Sequence, residues 1–270
     1  MIEESLKAFL KEDIQSGDLT APIAKGKQAS ARLICRSGAL LAGIDFFEKI
    51  FKILDKNTRF ERFFPDGTYI EESSVVAVLN ADAAAILAGE RTALNLLSRM
   101  SGIATLTREF VSQLDGFDTM LLDTRKTTPG LRFFEKYATR VGGALNHRLG
   151  LYDCAMIKDN HIKVAGSISA AIKAIRSEIP FTSKIEVEVK TVDQMKEAMD
   201  NRADIILLDH FDIDQIRQAV KIKNDYVRLE ASGNIDKDSL KAVAATGVDY
   251  ISTGYITHHA VSSDFALKIF

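Results

Sequence analysis

At 270 residues the chain is long enough for one large α/β domain, or for a barrel with a modest second domain. Lys plus Arg number 35 and Asp plus Glu 37, a formal net charge of -2, so no global field draws in nucleic acid or an anionic membrane and any anion recognition must be local. No run approaches the roughly 18 apolar residues of a membrane span. The amphipathic, acidic start MIEESLKAFLKEDI is unlike a secretory signal, and Cys35 and Cys154 are far apart without metal-ligand spacing, which together predict a reduced, cytoplasmic protein.

In chain order, residues 1 to 103 read as one unit: a short helix to Lys11, a turn at Gly17-Asp18, strand-like pieces at Ala29 to Cys35 and Val75 to Leu79, and helices starting at Ile44 and near Asp82. The pattern suits an N-terminal open α/β sandwich domain. In the helix from Asp82 to Met100, Ile86, Ala93, Leu97 and Met100 share an apolar stripe, Arg91, Asn95 and Ser98 share a polar one, and Gly102 is expected to stop it. From 104 to 260 short apolar strands alternate with helix-period segments, the pattern of parallel βαβ units. Strands are predicted at Thr119 to Leu122, Ala155 to Lys158, Ile185 to Val189, Ile205 to Leu208, Val227 to Glu230 and Tyr250 to Ser252. Periodicity leaves a closed barrel and an open sheet both possible. The tail 261–270 is a candidate to rejoin the first domain.

Chemistry at the strand ends favours the barrel. Asp123, Lys158, Glu188, Asp209 and Glu230 stand at or near the ends of predicted strands, and barrel sites are assembled at that face. Arg125 and Lys126 follow Asp123 directly, offering a planar fork and a compact cation to an anion. Asn146, His147 and Arg148 follow Gly142 and Gly143, and Lys158 precedes Asp159, Asn160 and His161. These three cationic loops predict a pocket for a ligand with several negative charges. Glu188 and Asp209 hold matching places on successive strands and suit hydrated magnesium, though helix caps or salt bridges account for such carboxylates equally well. Ser232-Gly233 and Thr253-Gly254 form small-residue loops fit for a phosphate, without the ATP-type loop pattern. His258 and His259 read as solvent-facing, and no Ser/His/Asp or Cys/His set points to a covalent nucleophile.

Several stretches in order, EDIQSGDLT, GERTALNLLSRMSGIAT, DTRKTTPGLR, NHRLGLYD, IKDNHI, IEVEV, LLD, LEASGNI and GVDYISTG, carry a resemblance over nearly the whole chain. The chain resembles the quinolinate phosphoribosyltransferase family, the decarboxylating nicotinate-nucleotide pyrophosphorylases of NAD biosynthesis. The resemblance implies an N-terminal open α/β domain with an incomplete or irregular α/β barrel, and a homodimer with active sites between subunits. It implies quinolinate and phosphoribosyl pyrophosphate as substrates, with nicotinate mononucleotide, pyrophosphate and carbon dioxide as products and Mg2+ as cofactor. Arg91, Arg125, His147, Arg148 and Lys158 then correspond to quinolinate-binding positions. Lys126, Glu188, Asp209, Ser232, Gly233, Thr253 and Gly254 correspond to the phosphoribosyl pyrophosphate site, with Glu188 and Asp209 at the metal and Arg91 reaching the partner subunit's site. Two positions depart from the pattern: Ala144 stands where a third glycine is usual, and His210 where asparagine is usual. Competing readings are a nicotinate-specific enzyme, a molybdenum-transport-associated homologue, and a non-enzymatic nucleotide-binding protein. The surplus of arginines favours a dicarboxylate.

Overall fold

A computed structural model describes residues 2–270, which divide into two compact units: residues 2–108 with Thr128–Gly143 and Ala260–Phe270, and Glu109–Thr127 with Ala144–His259. This division departs from a single boundary near residue 103 in one respect. The segment 128–143 belongs with the first unit, because its helix buries Phe134 and Ala138 in that unit's core.

The first unit contains α1 (Ile2–Ile14), β1 (Gln28–Cys35), β2 (Ala39–Leu40), α2 (Ile44–Leu54), β3 (Arg59–Arg62), β4 (Tyr69–Ile70), β5 (Val75–Asp82), most of α3 (Ala83–Ser112), and α4 (Arg132–Gly142). The chain's last strand, Phe265–Ile269, pairs antiparallel with β1, which pairs on its other edge with β5, and β5 with β3. One face of this sheet is apolar. Leu33, Leu79, Phe47, Phe51, Ile86 and Met100 are all buried in the resulting core, and each large side chain so removed from water stabilises the fold by about 1.5 to 3 kcal/mol. The Asp66 carboxylate accepts from the Gly43 and Ile44 N–H groups (2.8 and 3.1 Å) and so fixes the start of α2.

Gly102 does not stop α3, which runs on through ten more residues to Ser112. Its role is close approach instead: a methyl group there would lie 2.1 Å from the Val261 carbonyl oxygen. Sequence reading sees a glycine and infers a terminus, whereas only the returning tail reveals what the missing side chain admits.

The second unit is a six-stranded parallel sheet: β6 (Met120–Leu122), β7 (Ala155–Ile157), β8 (Ile185–Val189), β9 (Ile205–Asp209), β10 (Arg228–Ser232) and β11 (Tyr250–Ser252). Spatial order is β6-β11-β10-β9-β8-β7, and among the described residues no ladder joins β6 to β7, so the barrel is incomplete. Strands covered on both faces need near-continuous apolar runs, which is why Ile206, Leu208, Leu229 and Ile251 are fully buried. The crossovers are α5 (Asp159–Ala165), α6 (Ile168–Arg176), α7 (Val192–Asp200), α8 (Ile213–Ile222), α9 (Lys237–Ala244) and the short α10 (Tyr255–His258). Side chains of Ser167, Thr191, Asp212 and Asp236 accept from backbone N–H groups at the starts of α6 to α9. Strand limits differ slightly from expectation. Lys158 leaves its strand because its backbone serves as the N-cap of α5, while β9 and β10 continue to Asp209 and Ser232. Among the described residues no helix is long and apolar enough to cross a membrane.

At the opposite, N-terminal end of these strands Asp249 accepts from the Leu229 N–H (2.9 Å), Lys223 Nζ (2.6 Å) and Arg228 Nη1 (3.0 Å). Burial alone pushes its carboxyl up, but these three donors outweigh it and hold the pKa below the ordinary 3.8. Asp249→Ala should therefore cost about 2 kcal/mol at neutral pH, read from urea unfolding. A depressed carboxyl stabilises fully above its unfolded pKa and less as pH falls through the folded one, so the gap between wild type and variant should close on acidification and stay flat around neutrality.

Candidate active site

Because side chains alternate along a strand, Glu186 and Glu188 of β8 lie on the same face, and Glu230 of β10 is level with Glu188 through Leu207 of the intervening β9. Around these carboxylates, in the second unit, is a cleft of about 450 Å³. Arg125, Lys126, His147, Arg148, Lys158, Glu188, Asp209, Ser232 and Gly233 all line it, as expected from the strand-end positions. Thr253 and Gly254 are buried and do not line it. The Thr253 hydroxyl donates to the Ile235 carbonyl (2.8 Å), and Ser252, one residue earlier, reaches the cleft in its place. Gly254 contributes space: a methyl group there would lie 2.7 Å from the Lys126 stem, whose backbone carbonyl accepts from Thr257 Oγ1 (2.7 Å).

The cations are not bare. Lys158 donates through Nζ to Glu188 Oε2, so these two predicted functional groups form an ion pair with each other. Arg148 Nη1 donates to the Cys154 carbonyl (3.2 Å). Asp123 is fully buried and accepts from Asn146 Nδ2 (2.6 Å) and the His147 N–H (2.8 Å), tying the end of β6 to the loop that carries Arg148. Burial opposes charge on the His147 ring, but Glu186 and Glu230 outweigh it and raise its pKa; with Nδ1 accepting from the Arg148 N–H, the ring's hydrogen sits on Nε2. Burial likewise pushes Glu186 up. The Cys154 thiol, raised to about 11 by burial and then by the Glu186 charge, is protonated at neutral pH and a poor nucleophile.

The position of His210 explains part of its neighbourhood. It has a φ of 57°, donates its backbone N–H to the Ser232 carbonyl (3.0 Å), and places Nε2 3.8 Å from Asp209 Oδ1. Gly233, with a φ of 142°, leaves room for the His210 ring, whose Nδ1 would lie 3.1 Å from a methyl group. Ala144 is buried and has no positive φ, so nothing in the backbone there requires glycine. Gly142 does require it, since a methyl group would meet Thr107 at 2.5 Å.

Arg91 is not among the residues lining this cleft. It is exposed and lines a separate depression of the first unit with Glu12, Asp13, Asn95, Arg99 and Thr128. Glu186 was invisible to strand-end reasoning because it lies one pleat deeper than Glu188. The available signal was the I-E-V-E-V alternation, which places two carboxylates inward on a strand that is otherwise apolar. His258 and His259 are exposed as expected, but His258 also approaches Gly254 and Lys126, and burial together with the neighbouring His259 and Lys126 charges lowers its pKa.

Comparison with known proteins matches residues 13–101 to the N-terminal domain of quinolinate phosphoribosyl transferase and residues 103–268 to its C-terminal domain. A probable nicotinate-nucleotide pyrophosphorylase (carboxylating) from Bacillus subtilis is 44% identical over 269 residues, 99% of this chain and 93% of the relative. The solved nicotinate-nucleotide pyrophosphorylase from Francisella tularensis superposes with a TM-score of 0.94 at 40% identity, covering 100% of this chain and 96% of that one. The human nicotinic acid phosphoribosyltransferase shares the fold alone, with a TM-score of 0.60 at 14% identity over 99% of this chain and 73% of that one.

Gly233→Ala should cost about 1 to 3 kcal/mol of stability, because an alanine is strained at that φ and its methyl group crowds the histidine. Adding His210→Gly removes the crowding but not the strain, so thermal unfolding should recover only part of the loss.

Proposed function

The chain belongs to the quinolinate phosphoribosyl transferase family, and we propose that its strand-end cleft is where the family's reaction takes place. Phosphoribosyl passes from phosphoribosyl pyrophosphate to quinolinate, with decarboxylation to nicotinate mononucleotide. The observation that carries this assignment is the convergence of Arg125, Lys126, Arg148 and Lys158 on one cleft with Glu188 and Asp209. Four cations suit two substrates that together bring two carboxylates and several phosphate charges.

Arg125, Arg148 and Lys158 hold the quinolinate carboxylates, and Lys126 with the Ser232-Gly233 loop holds the phosphorylated sugar. The bond from the ring nitrogen to the anomeric carbon forms as the bond from that carbon to a pyrophosphate oxygen breaks. Carbon dioxide then leaves the ring carbon beside the quaternised nitrogen, which stabilises the electron pair left behind until a proton takes it. Positioning and charge stabilisation do the work, and no covalent nucleophile is needed. Glu188 and Asp209 are carboxylate oxygen donors of the kind hydrated magnesium takes, both at the cleft. A magnesium ion held by Glu188 and Asp209 would supply positive charge to the pyrophosphate leaving group. Purified protein should release carbon dioxide and pyrophosphate from quinolinate plus phosphoribosyl pyrophosphate, and only with a divalent ion present. Turnover of nicotinate in place of quinolinate would overturn the substrate assignment, and full activity in a chelator would overturn the metal.

The functional unit is a homodimer in which Arg91 serves the partner's cleft. Support comes from its exposure, from its absence among the residues of its own strand-end cleft, and from the family resemblance of GERTALN. Arg91→Ala and Lys158→Ala homodimers should both be poorly active. Co-refolded in equal amounts, half the dimers are mixed and each mixed dimer has one intact site, so about a quarter of normal activity should return under two-fold symmetry. Recovery no greater than the mean of the two parents, with mixed dimers detected by mass spectrometry, would remove Arg91 from the partner's site.

A further inference from the structure

Two buried carboxylates have no part in the mechanism above. Glu186 and Glu230 are 0% and 1% exposed, on strands whose other fully buried positions are Ile, Val, Leu and Ala. Burying a carboxylate costs several kcal/mol, and apolar side chains of similar volume usually serve stability as well or better. Both converge on one atom: His147 Nε2 lies 3.1 Å from Glu186 Oε2 and 3.4 Å from Glu230 Oε2. That nitrogen carries the ring's hydrogen, because Nδ1 accepts from the Arg148 N–H, and so it donates to the pair. The other ring nitrogen, Nδ1, lies 2.6 Å from the Arg148 backbone nitrogen, which donates to it. His147 therefore turns both nitrogens toward the protein, although it lines the cleft and was expected to bind substrate.

The consequence falls on Arg148. Its backbone is held through the His147 ring from one side, and through Asp123, which fixes Asn146 and the His147 N–H, from the other. An arginine fork aimed at a carboxylate gains most when its backbone is fixed beforehand, because less freedom is lost on binding. We infer that Glu186 and Glu230 are positioning residues which act through His147 to set Arg148 for the quinolinate carboxylate, and that neither His147 ring nitrogen contacts quinolinate. The inference rests on the assignment of Arg148 to quinolinate.

Steady-state kinetics with each substrate varied tests it on the full-length enzyme. Glu230→Ala should raise the KM for quinolinate about tenfold while the KM for phosphoribosyl pyrophosphate moves by less than about threefold. Glu230→Gln, whose amide oxygen still accepts from Nε2, should recover most of that loss. In an Arg148→Ala background, Glu230→Ala should add nothing further, since the group it positions is gone. An unchanged quinolinate KM in Glu230→Ala, an equal rise for both substrates, or effects that multiply with Arg148→Ala would each overturn the positioning role. If Arg148→Ala itself leaves the quinolinate KM normal, the assignment of the site fails and the inference fails with it. That outcome is distinct from the case in which only the Glu230 variant is silent. Should Glu230→Ala not fold, nitrogen-15 spectra of histidine-labelled wild-type protein decide the second half. The His147 Nε2 resonance should stay that of a protonated nitrogen and keep its shift on saturation with quinolinate, whereas a large shift would mean direct contact.

Discussion

A cation drawn into the mouth of a parallel barrel must find a counter-charge before its substrate arrives, and in this chain the counter-charges are on the strands themselves. Lys158 is paired with Glu188, while the neighbouring Glu186 and Glu230 face the His147 ring N–H. At a separation of about 4 Å and an effective dielectric near 20, one such pair is worth roughly 4 kcal/mol of attraction, most of it set against desolvation. The Lys158 ammonium is thus paired in the free cleft, which Arg125, Lys126 and Arg148 also line. Polyanionic substrates compete with internal partners instead of entering an empty basic hole.

The two kinds of pair differ in depth. Glu186 and Glu230 are sealed from solvent and face the His147 ring. Glu188 and Asp209 stand nearer the mouth, where solvent, metal or phosphate can replace a protein partner. Alternation along a strand puts Glu186 and Glu188 on one face of β8, with Val187 alone between the buried carboxylate and the one at the cleft. Below the sheet, Asp249 fastens β10 to α8 and leaves the upper loops to chemistry.

Much of this was legible in the sequence. The apolar runs ending in Asp123, Lys158, Glu188 and Asp209 announced parallel strands and a strand-end site, because a buried strand and its exposed tip obey different composition rules. What escaped depended on partners distant in sequence. Gly102 read as a helix stop, since nothing local reveals the Val261 carbonyl it admits. Thr253 and Gly254 read as phosphate contacts, yet the Thr253 hydroxyl is drawn inward to Ile235. Segment 128–143 lies between two strand-end loops in sequence but packs with the first unit. A salt bridge is one reading of Lys158 and of Glu188 from sequence, but nothing local names them as each other's partner, 30 residues apart.

If Glu188 holds the Lys158 ammonium until substrate displaces it, calorimetric titration of quinolinate into Glu188→Gln shows this most directly. Replacing the carboxylate by an uncharged amide releases the Lys158 ammonium, so quinolinate should bind as tightly as to wild type or more tightly, even though turnover is lost. Binding weakened by about tenfold or more would mean that the glutamate helps to hold the substrate and does not compete with it, contradicting the account.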